Sequence, residues 1–559
     1  MTTRNRPRYR KLRIGCISAT LLVVAAVIGG VVDTAVGGDE GPSDRPVTVT
    51  NASGAEYLDN FNPFLAGGST PPVPGFVYEP LYLFNSARAG DTHPWLATAY
   101  RWTDHGQSLT FDLRHNVRWS DGKALTSADV AYTFELELKH AALNLYGIPY
   151  KGVRTEGPYR VTVTFTRRAY ADLLYVAGRT YIVPRHIWRH VSEPSTYQDP
   201  HPVGSGPYEL VKYSPSSILF RANPHYYFRG LPKVREYRFL AQTSNTANEA
   251  AIIDGQVDWG VGYLANAQKL YVNAKKSNVL QTVNTGTATL VTNDVRGPTA
   301  SLVVRRAISE AINRPAIASV VYQDYYGPGN AANLPLPLFR AYAAPVARRK
   351  MDYSPSKARA LLRGAGYTLG RHGIFEKDGK PLSVTVLVAA TYSDFLSDLQ
   401  IIQANLRAVG IGMTINARSP TEVQSEVTTG QFEITLSPVT AVPSLYSFYD
   451  SQYDSHLTAP IGKAATGDYG RYRSAEVDSL LTGVERTPNA NMARPLLAKL
   501  QGVIARDLPA IPVLSKDGYV EFSNDRLTGY PTHANSYASA MSSAEPDAGW
   551  VAARLRYAK

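Results

Sequence analysis

The stretch LTFDLRHNVRWSDGKALTSADVAYTFE, residues 109–135, decides the fold. Apolar and polar residues alternate over positions 109–113, which is the period of a half-buried strand. The dipeptide at 121–122 is Asp-Gly, whose glycine adopts positive φ at little cost. Thr126 and Asp129 then stand three residues apart, as a helix N-cap and its first-turn acid do. The stretch therefore predicts a strand, a turn and a helix in succession.

The same string resembles the signature of the family 5 solute-binding proteins of ABC importers, the oligopeptide and dipeptide-binding group. The likeness continues through VGSGPYEL at 203–210, NPHYY at 223–227 and SPSKARALLRGAGY at 354–367. It covers most of the chain from about residue 46 to the end. Membership of that family is therefore the working interpretation.

The resemblance implies an α/β fold, a type II periplasmic-binding-protein-like two-lobed clamshell with an extra inserted domain. The alternation of strand and helix patterns along the chain agrees with α/β lobes. The implied borders place lobe I at 46–85, 199–298 and 515–559, the inserted domain II at 86–198, and lobe III at 299–514.

Composition excludes some classes of protein. Of the 559 residues, 44% are hydrophobic, which is ample material for a large core. The formal net charge is +12, but six basic residues crowd positions 4–13 and no nucleic-acid-binding module is present, so no nucleic acid partner is expected. Cys16 is the single cysteine, so no internal disulfide can form.

The start of the chain has the pattern of an export signal. The basic run is followed by residues 14–32, which carry no formal charge. That order is typical of a secretory signal, and the apolar run is also just long enough to span a membrane. Residues 1–37 are therefore predicted to be a signal peptide or an N-terminal membrane anchor, both of which remain open. Either one places the protein at the extracytoplasmic face of the cell membrane, secreted or N-terminally anchored.

No motif for catalysis or for a cofactor is evident. The sequence has no H-E-x-x-H, no phosphate-binding loop of the Walker A kind and no paired C-x-x-C. His115, His186, His190 and His201 each lack a convincing second ligand at a metal-binding spacing. We therefore expect no enzyme activity, no metal site and no cofactor. Some relatives bind nickel or haem, so binding of one of these groups stays a minor alternative.

The ligand is harder to predict. Many peptide-binding relatives place an aspartate, a partner for the peptide ammonium, in the loop after a gly-x-phe-asp strand. The matching strand is 430–436, and residues 437–449 contain no acid before Asp450. Residues 443–449 and 529–538 instead resemble the oligosaccharide-binding branch of the family. The resemblance thus favours a short oligosaccharide over an oligopeptide without excluding either.

Five residues are predicted to touch the ligand. Aromatic side chains can cover the apolar faces of sugar rings, and amides can bond their hydroxyls. On that basis the expected ligand-binding residues are Asn60, Trp259, Tyr446, Phe448 and Tyr449.

The expected function is that of a monomeric solute-binding component of an ABC importer. It would close its two lobes around a small solute and deliver it to an ABC permease in the membrane. The alternatives are a sensor or chaperone-like binding protein that works without a permease and, third, an exported enzyme.

Overall fold

The computed structural model of the protein describes residues 45–51, 54–64 and 71–558. The signal peptide or anchor predicted over residues 1–37 lies outside the described residues. None of the helices in the described part of the chain has the length and apolarity that a membrane crossing needs.

The described residues form 22 strands and 14 α-helices, numbered here in chain order. The strands are β1 (Val47–Thr50), β2 (Tyr82–Phe84), β3 (Thr92–Pro94), β4 (Ala97–Thr103), β5 (Ser108–Leu113), β6 (Tyr150–Thr155), β7 (Arg160–Phe165), β8 (Tyr208–Ser214), β9 (Ser217–Ala222), β10 (Glu236–Leu240), β11 (Trp259–Val261), β12 (Asn278–Thr292), β13 (Gly327–Pro328), β14 (Thr368–Leu369), β15 (Phe375–Lys377), β16 (Lys380–Pro381), β17 (Ser383–Ala389), β18 (Gly412–Arg418), β19 (Ile434–Thr440), β20 (Ala510–Ser523), β21 (Leu527–Thr528) and β22 (Arg556–Tyr557). The α-helices are α1 (Ser127–Lys139), α2 (Leu173–Gly178), α3 (Arg185–Trp188), α4 (Asn245–Ile253), α5 (Ala267–Leu270), α6 (Leu302–Ala311), α7 (Arg314–Tyr322), α8 (Pro355–Gly364), α9 (Ser393–Val409), α10 (Pro420–Thr429), α11 (Leu445–Tyr453), α12 (Ala475–Glu485), α13 (Ala490–Asp507) and α14 (Asp547–Arg554). Short 3-10 helices span Asp104–Gly106, Tyr170–Asp172, Val272–Ala274, Pro298–Ala300, Arg340–Tyr342 and Pro345–Arg348.

Local sequence accounts for several of these boundaries. The Thr126 side chain caps α1, and the Asp129 carboxylate accepts a 2.8 Å hydrogen bond from the Thr126 backbone N–H, so the predicted cap is confirmed. Ser354 caps α8, whose first residue is a proline. Helix α9 ends at Gly410, whose φ of +87° few other residues adopt at low cost.

One mixed sheet joins both lobes. Its strand order is β18-β17-β19-β12-β20-β11-β1-β10-β9-β8, with β13 also paired to β20. Strand β1 runs parallel to β10 and β11, and β17 runs parallel to β18 and β19. By the predicted domain borders, the lobe I half of the sheet contains β11, β1, β10, β9 and β8, and the lobe III half contains β19, β17 and β18.

Strands β12 and β20 belong to both halves. One end of β12 pairs only with β20, while its other end, residues 286–292, also pairs with β19. Their mutual register shifts between Asn284 and Gly286. Gly286 has φ +142°, and a Cβ built there would lie 1.9 Å from the Val439 carbonyl oxygen, so only glycine allows this close approach. The pairing of these two strands is thus irregular where they pass from one half of the sheet to the other.

A second sheet lies in the segment predicted as the inserted domain. Its strand order is β4-β5-β7-β6, and α1 packs against it around a separate apolar core that includes Phe111, Trp119 and Phe134. The strand, turn and helix predicted for residues 109–135 are all present here. Leu136 and Tyr181 belong instead to the lobe I core, so this segment is packed onto lobe I. The two-lobed α/β fold with an inserted part is therefore confirmed, while the domain borders given above stay a prediction.

Candidate functional site

A cavity of about 480 Å³ opens where β12 and β20 pass between the lobes. Its floor includes Asn284 and Thr285 from β12 and Lys516 and Gly518 from β20. The side-chain amide of Asn284 donates a 2.7 Å hydrogen bond to the Asp517 carboxylate and a 3.0 Å bond to the Leu336 carbonyl. The floor of the cavity and the irregular crossing of the two strands are thus the same place.

The walls come from distant parts of the chain. Lobe III contributes residues 438–442, at and just beyond the end of β19, together with the start of α9. Lobe I contributes Val261 at the end of β11, Gly262 after it and residues of the segment 539–545, and Arg179 reaches the cavity from the inserted part. A solute in this cavity would contact both lobes at once.

Aromatic rings form part of the lining: Tyr263, Tyr326, Tyr392, Phe395 and Tyr519. Tyr326 and Tyr519 lie in a T-shaped arrangement, with ring centroids 5.6 Å apart, and Tyr392 and Phe395 do the same at 5.8 Å. Packed rings of this kind give the cavity a fixed shape, and they offer apolar faces to a bound molecule.

One charged cluster of the lining surrounds Lys516. Its ammonium lies 5.5 Å from the centroid of the Phe395 ring, and no described residue accepts a hydrogen bond from it. Burial lowers the pKa of Lys516, while Asp394 and Asp398 oppose that shift. Burial raises the pKa of Asp394, whose carboxylate accepts a 2.9 Å hydrogen bond from the Asn245 side chain.

Asp398 completes this cluster behind the cavity wall. Burial and the neighbouring Asp394 hold its pKa well above the ordinary range, and it accepts a 2.9 Å hydrogen bond from the Tyr322 hydroxyl. The ionised form of Asp398 is therefore disfavoured both by burial and by a neighbouring like charge.

The other charged cluster lies on the lobe I side. Arg179 donates a hydrogen bond from its guanidinium to the backbone carbonyl of Glu545. Burial raises the pKa of the Glu545 carboxyl to about 7, and Arg179 opposes the shift. Among the described residues, no donor bonds the Glu545 carboxylate. Glu545 is a lining residue of the cavity, and Arg179 is the cation beside its carboxylate.

Asp547 fixes the wall next to Glu545. Its carboxylate accepts hydrogen bonds from the backbone N–H of Ser86 at 3.0 Å and from that of Ser539 at 2.8 Å, and both serines line the cavity. The 539–545 segment is therefore tied to the strand end at Ser86 by a buried acid.

The family model for bacterial extracellular solute-binding proteins, family 5 (middle region), matches residues 91–456, well over half of the chain. The protein belongs to this family. Its members are bacterial extracellular solute-binding proteins.

Curated relatives agree with this assignment. The nickel-binding periplasmic protein of Escherichia coli is 25% identical over 391 residues, covering 66% of this chain and 71% of the relative. The glutathione-binding protein GsiB of Salmonella paratyphi A is 24% identical over 465 residues, covering 78% and 82%.

Solved structures share the fold. A periplasmic oligopeptide-binding protein of Thermotoga maritima with bound mannohexaose has a TM-score of 0.81 at 23% identity, and the match covers 92% of this chain and 98% of the other. The oligopeptide-binding protein AppA of Bacillus subtilis with a bound nonapeptide has a TM-score of 0.75 at 19% identity, covering 92% and 99%.

Against this family fold, none of the five residues predicted from the sequence lines the cavity. Trp259 is fully buried in the lobe I core, where its indole N–H donates a 2.8 Å hydrogen bond to the Ala540 carbonyl. Asn60 is half-buried, and its side-chain oxygen accepts a 3.1 Å hydrogen bond from the Asn62 backbone N–H. A ligand role for either residue stays a prediction.

The three aromatic residues of α11 lie together in lobe III. Phe448 and Tyr449 are buried in a helical core, and the Tyr449 hydroxyl donates a 2.9 Å hydrogen bond to the Ala332 carbonyl. Tyr446 is half-buried beside Asp450, and burial raises the pKa of its hydroxyl. Tyr446 faces the inserted part rather than the cavity, and contact of these three residues with ligand also stays a prediction.

The histidines considered for metal binding do not come together. His186 lies 2.7 Å from an Asp121 carboxylate oxygen, and His115 stacks on Tyr159. A group that the sequence analysis missed is Asp454, His456 and Asp478, whose potential ligand atoms lie within 4.8 Å of one another at the surface. Hydrogen bonds from Ser455 to Asp478 account for part of this arrangement without an ion.

The charged residues of the cavity were also missed. Lys516 lies within a long strand, and Glu545 lies in an irregular segment close to the end of the sequence. Neither stands in a motif with a fixed spacing. Only the folding of β20 beside α9, and of the 539–545 segment beside Arg179, reveals their common position.

Proposed function

We propose that the protein is the extracytoplasmic solute-binding component of an ABC importer, which encloses a zwitterionic solute of short-peptide size and delivers it to a permease. Membership of the family supports the binding role. The finer proposal, the solute class, rests on the cavity itself. Its volume of about 480 Å³ falls within the range of roughly 300–1,000 Å³ that small-molecule sites occupy.

The observation that carries the solute class is the pair of unused charges in the cavity. Lys516 offers an ammonium and Glu545 a carboxylate, and neither makes a side-chain hydrogen bond to a described residue. A neutral sugar has no charged group for either of them, so both would lose contact with water without gaining an ionic partner from the ligand. A zwitterion instead pairs its carboxylate with Lys516 and its ammonium with Glu545. The two charges therefore favour a peptide, whereas the sequence resemblance favours an oligosaccharide.

A short oligosaccharide is the second candidate. The aromatic lining, with Tyr263, Tyr392 and Tyr519 among its members, offers faces that could cover sugar rings. The mannohexaose bound to the Thermotoga maritima protein is consistent with that use of the fold.

Binding works through closure of the lobes in this proposal. The open form samples closed ones, and a solute that contacts both lobes favours the closed form by its differential affinity. Asn284 and Gly286 lie where β12 and β20 bend between the lobes, so closure turns about the cavity floor. The protein binds and releases without chemistry, acts as a monomer, and leaves ATP hydrolysis to other chains. A sensor or chaperone that works without a permease remains the alternative, and solute uptake by vesicles containing the permease separates the two.

Calorimetric titration tests the solute class. The ligands are L-alanyl-L-alanyl-L-alanine, its N-acetyl derivative, its C-terminal amide, and cellotriose. We expect the free tripeptide to bind, and each capped form to bind about tenfold or more weakly, about 1.4 kcal/mol. Binding of cellotriose with no binding of the tripeptide would replace the zwitterion by a sugar.

Two variants assign the charges. In Glu545→Gln the ligand ammonium has already lost its partner, so N-acetylation of the tripeptide should reduce affinity little further. In Lys516→Met the ligand carboxylate has lost its partner, so the C-terminal amide of the tripeptide should bind nearly as well as the free tripeptide. Glu193→Gln and Lys380→Met change exposed residues outside the cavity and serve as matched controls. Equal sensitivity of all four variants to capping would contradict the assignment.

A further inference from the structure

Arg167 bridges two parts of the protein that lie on opposite sides of the cleft. It stands between β7 and the 3-10 helix Tyr170–Asp172 of the inserted part. Its guanidinium pairs with the Glu485 carboxylate at the end of α12 in lobe III, and it lies 3.5 Å from an Asp172 carboxylate oxygen. The side chains of Asp172 and Glu485 are only 9% and 11% exposed, so the contact shields both acids from solvent.

Further acids and hydroxyls of α11 face the same contact. Burial raises the pKa of Asp172 to about 6 and that of Asp450 to about 7, and in both cases Arg167 opposes the shift. Tyr446 donates its hydroxyl to Asp450, and Ser447 lies close enough to Tyr175 to lower the pKa of that hydroxyl. Arg167 thus lies among three acids, Asp172 of the inserted part and Asp450 and Glu485 of lobe III.

The two sides of this contact belong to different packed bodies. The inserted part shares Leu136 and Tyr181 with the lobe I core. Helices α11 and α12 belong to a core of lobe III that includes Phe448 and Leu481. Opening of the cleft about β12 and β20 would separate the bodies, and Arg167 would keep Asp172, which lies on its own segment, but lose Glu485.

We propose that Arg167 and Glu485 form an ionic latch between the inserted part and lobe III, which holds the cleft shut. The proposal rests on the proposed function only in that closure of the lobes retains the solute. The latch lies outside the cavity lining, so it acts on closure whatever the solute is.

Charge reversal tests the latch without any ligand. The variants are Arg167→Glu, Glu485→Arg and the double exchange, each made in the full chain. Arg160→Glu is the matched control, because Arg160 is about as exposed as Arg167 but pairs with Asp112 within the inserted part. Hydrogen–deuterium exchange followed by mass spectrometry reports the protection of each segment.

In Arg167→Glu the new carboxylate should repel Glu485, so exchange should become about threefold faster or more in two sets of segments. The first set is the contact itself, residues 167–179 and 475–485. The second set is the cavity lining, residues 438–442, 515–519 and 539–545. The double exchange should restore most of the protection. The control should change neither set.

Two results would overturn the proposal. Faster exchange confined to 167–179 and 475–485 would show a local contact that does not control the cleft. Unchanged exchange in Arg167→Glu, or no restoration in the double exchange, would show that the pair holds nothing together. Neither result depends on solute binding. The latch can therefore fail while the proposed function stands, and the proposed function can fail while the latch stands.

Discussion

Trp259 donates its indole N–H to the carbonyl oxygen of Ala540 across 2.8 Å of the lobe I core. Ala540 lies between Ser539 and Met541, and both of these line the cavity. The ring also packs edge-on against Tyr530, with centroids 5.9 Å apart. Trp259 therefore supports the cavity wall from behind.

Replacement of Trp259 by alanine should destabilise the whole fold. The side chain is fully buried, so Trp259→Ala should lower the free energy of unfolding by about 3–5 kcal/mol. Trp259→Phe keeps most of the buried area and loses the hydrogen bond, and should cost about 1 kcal/mol from that bond plus a smaller packing loss. Urea unfolding curves measure both. A Trp259→Ala protein of full stability that has lost ligand affinity would restore the direct contact predicted from the sequence.

Gly286 should not tolerate a side chain. Its φ of +142° and the 1.9 Å approach of a built Cβ to the Val439 carbonyl mean that Gly286→Ala must displace β12 from β19 at the cavity floor. We expect a loss of about 2 kcal/mol or more in urea unfolding. Gly502→Ala is the control, because Gly502 lies within α13, and a Cβ there would meet nothing within 4 Å. That change should be neutral, or stabilising by up to about 1 kcal/mol. Equal effects at both positions would refute the steric argument.

Glu521 lies on β20 with both carboxyl oxygens buried, and no described residue bonds either of them. Burial holds its pKa well above the ordinary value. Because ionisation is harder in the native than in the unfolded state, this residue lowers stability increasingly as the pH rises above the ordinary pKa of a glutamate, about 4.3. Glu521→Leu should raise the free energy of unfolding by about 1–3 kcal/mol at pH 8, and by less at pH 5. Urea unfolding at the two pH values measures the difference.

Glu79 is the matched control for Glu521. It is equally buried, but its carboxyl accepts hydrogen bonds from the Trp95 indole at 2.6 Å and the Ser205 hydroxyl at 2.8 Å. Glu79→Leu removes the partner of both donors, and should destabilise by about 2 kcal/mol or more. If both replacements moved stability in the same direction, hydrogen bonding would not be what separates these two acids.

Local signals made the scaffold predictable. The N-cap Thr126, the acid Asp129 and the terminal Gly410 act within a few residues of their own positions, so their roles can be read from the sequence. The alternation of strands and helices, together with the resemblance over residues 109–135, gave the two-lobed α/β fold.

The cavity was not predictable in the same way. Lys516 and Glu545 lie on different elements, and Arg179 comes from a different part of the chain. Their meeting depends on how the sheet orders β12, β20 and β11. Trp259 and Tyr449 show a related limit of sequence reasoning: an aromatic residue next to a family-like motif can serve the core as well as a ligand, and the sequence does not show that both side chains are buried.

The Asp394 carboxylate should compete with a ligand carboxylate for Lys516. The Asn245 amide donates to Asp394, the one charged neighbour of Lys516 that lines the cavity. Asp394→Asn would remove the cavity-lining carboxylate beside Lys516, and should tighten binding of a ligand carboxylate there by about threefold to tenfold. Titration with N-acetyl-L-alanyl-L-alanine, which has a carboxylate and no ammonium, isolates this effect. Weaker binding of this probe in Asp394→Asn would mean that the aspartate positions Lys516 rather than competes with the ligand.

The pH dependence of affinity should report Glu545. In the free protein its pKa is about 7, and pairing with a ligand ammonium lowers it, so affinity is greatest when Glu545 is already ionised. Affinity for L-alanyl-L-alanyl-L-alanine should therefore fall about tenfold from pH 7.5 to pH 5.5, where the peptide amine stays largely protonated. Acids that closure buries, such as Asp172 and Asp450, contribute with the opposite sign, because their raised pKa values favour the closed form at low pH. Glu545→Gln removes only the first effect, so its affinity should stay flat or rise on acidification. Titrations of both proteins at five pH values compare the slopes, and parallel profiles would rule out Glu545 as the partner of the ammonium.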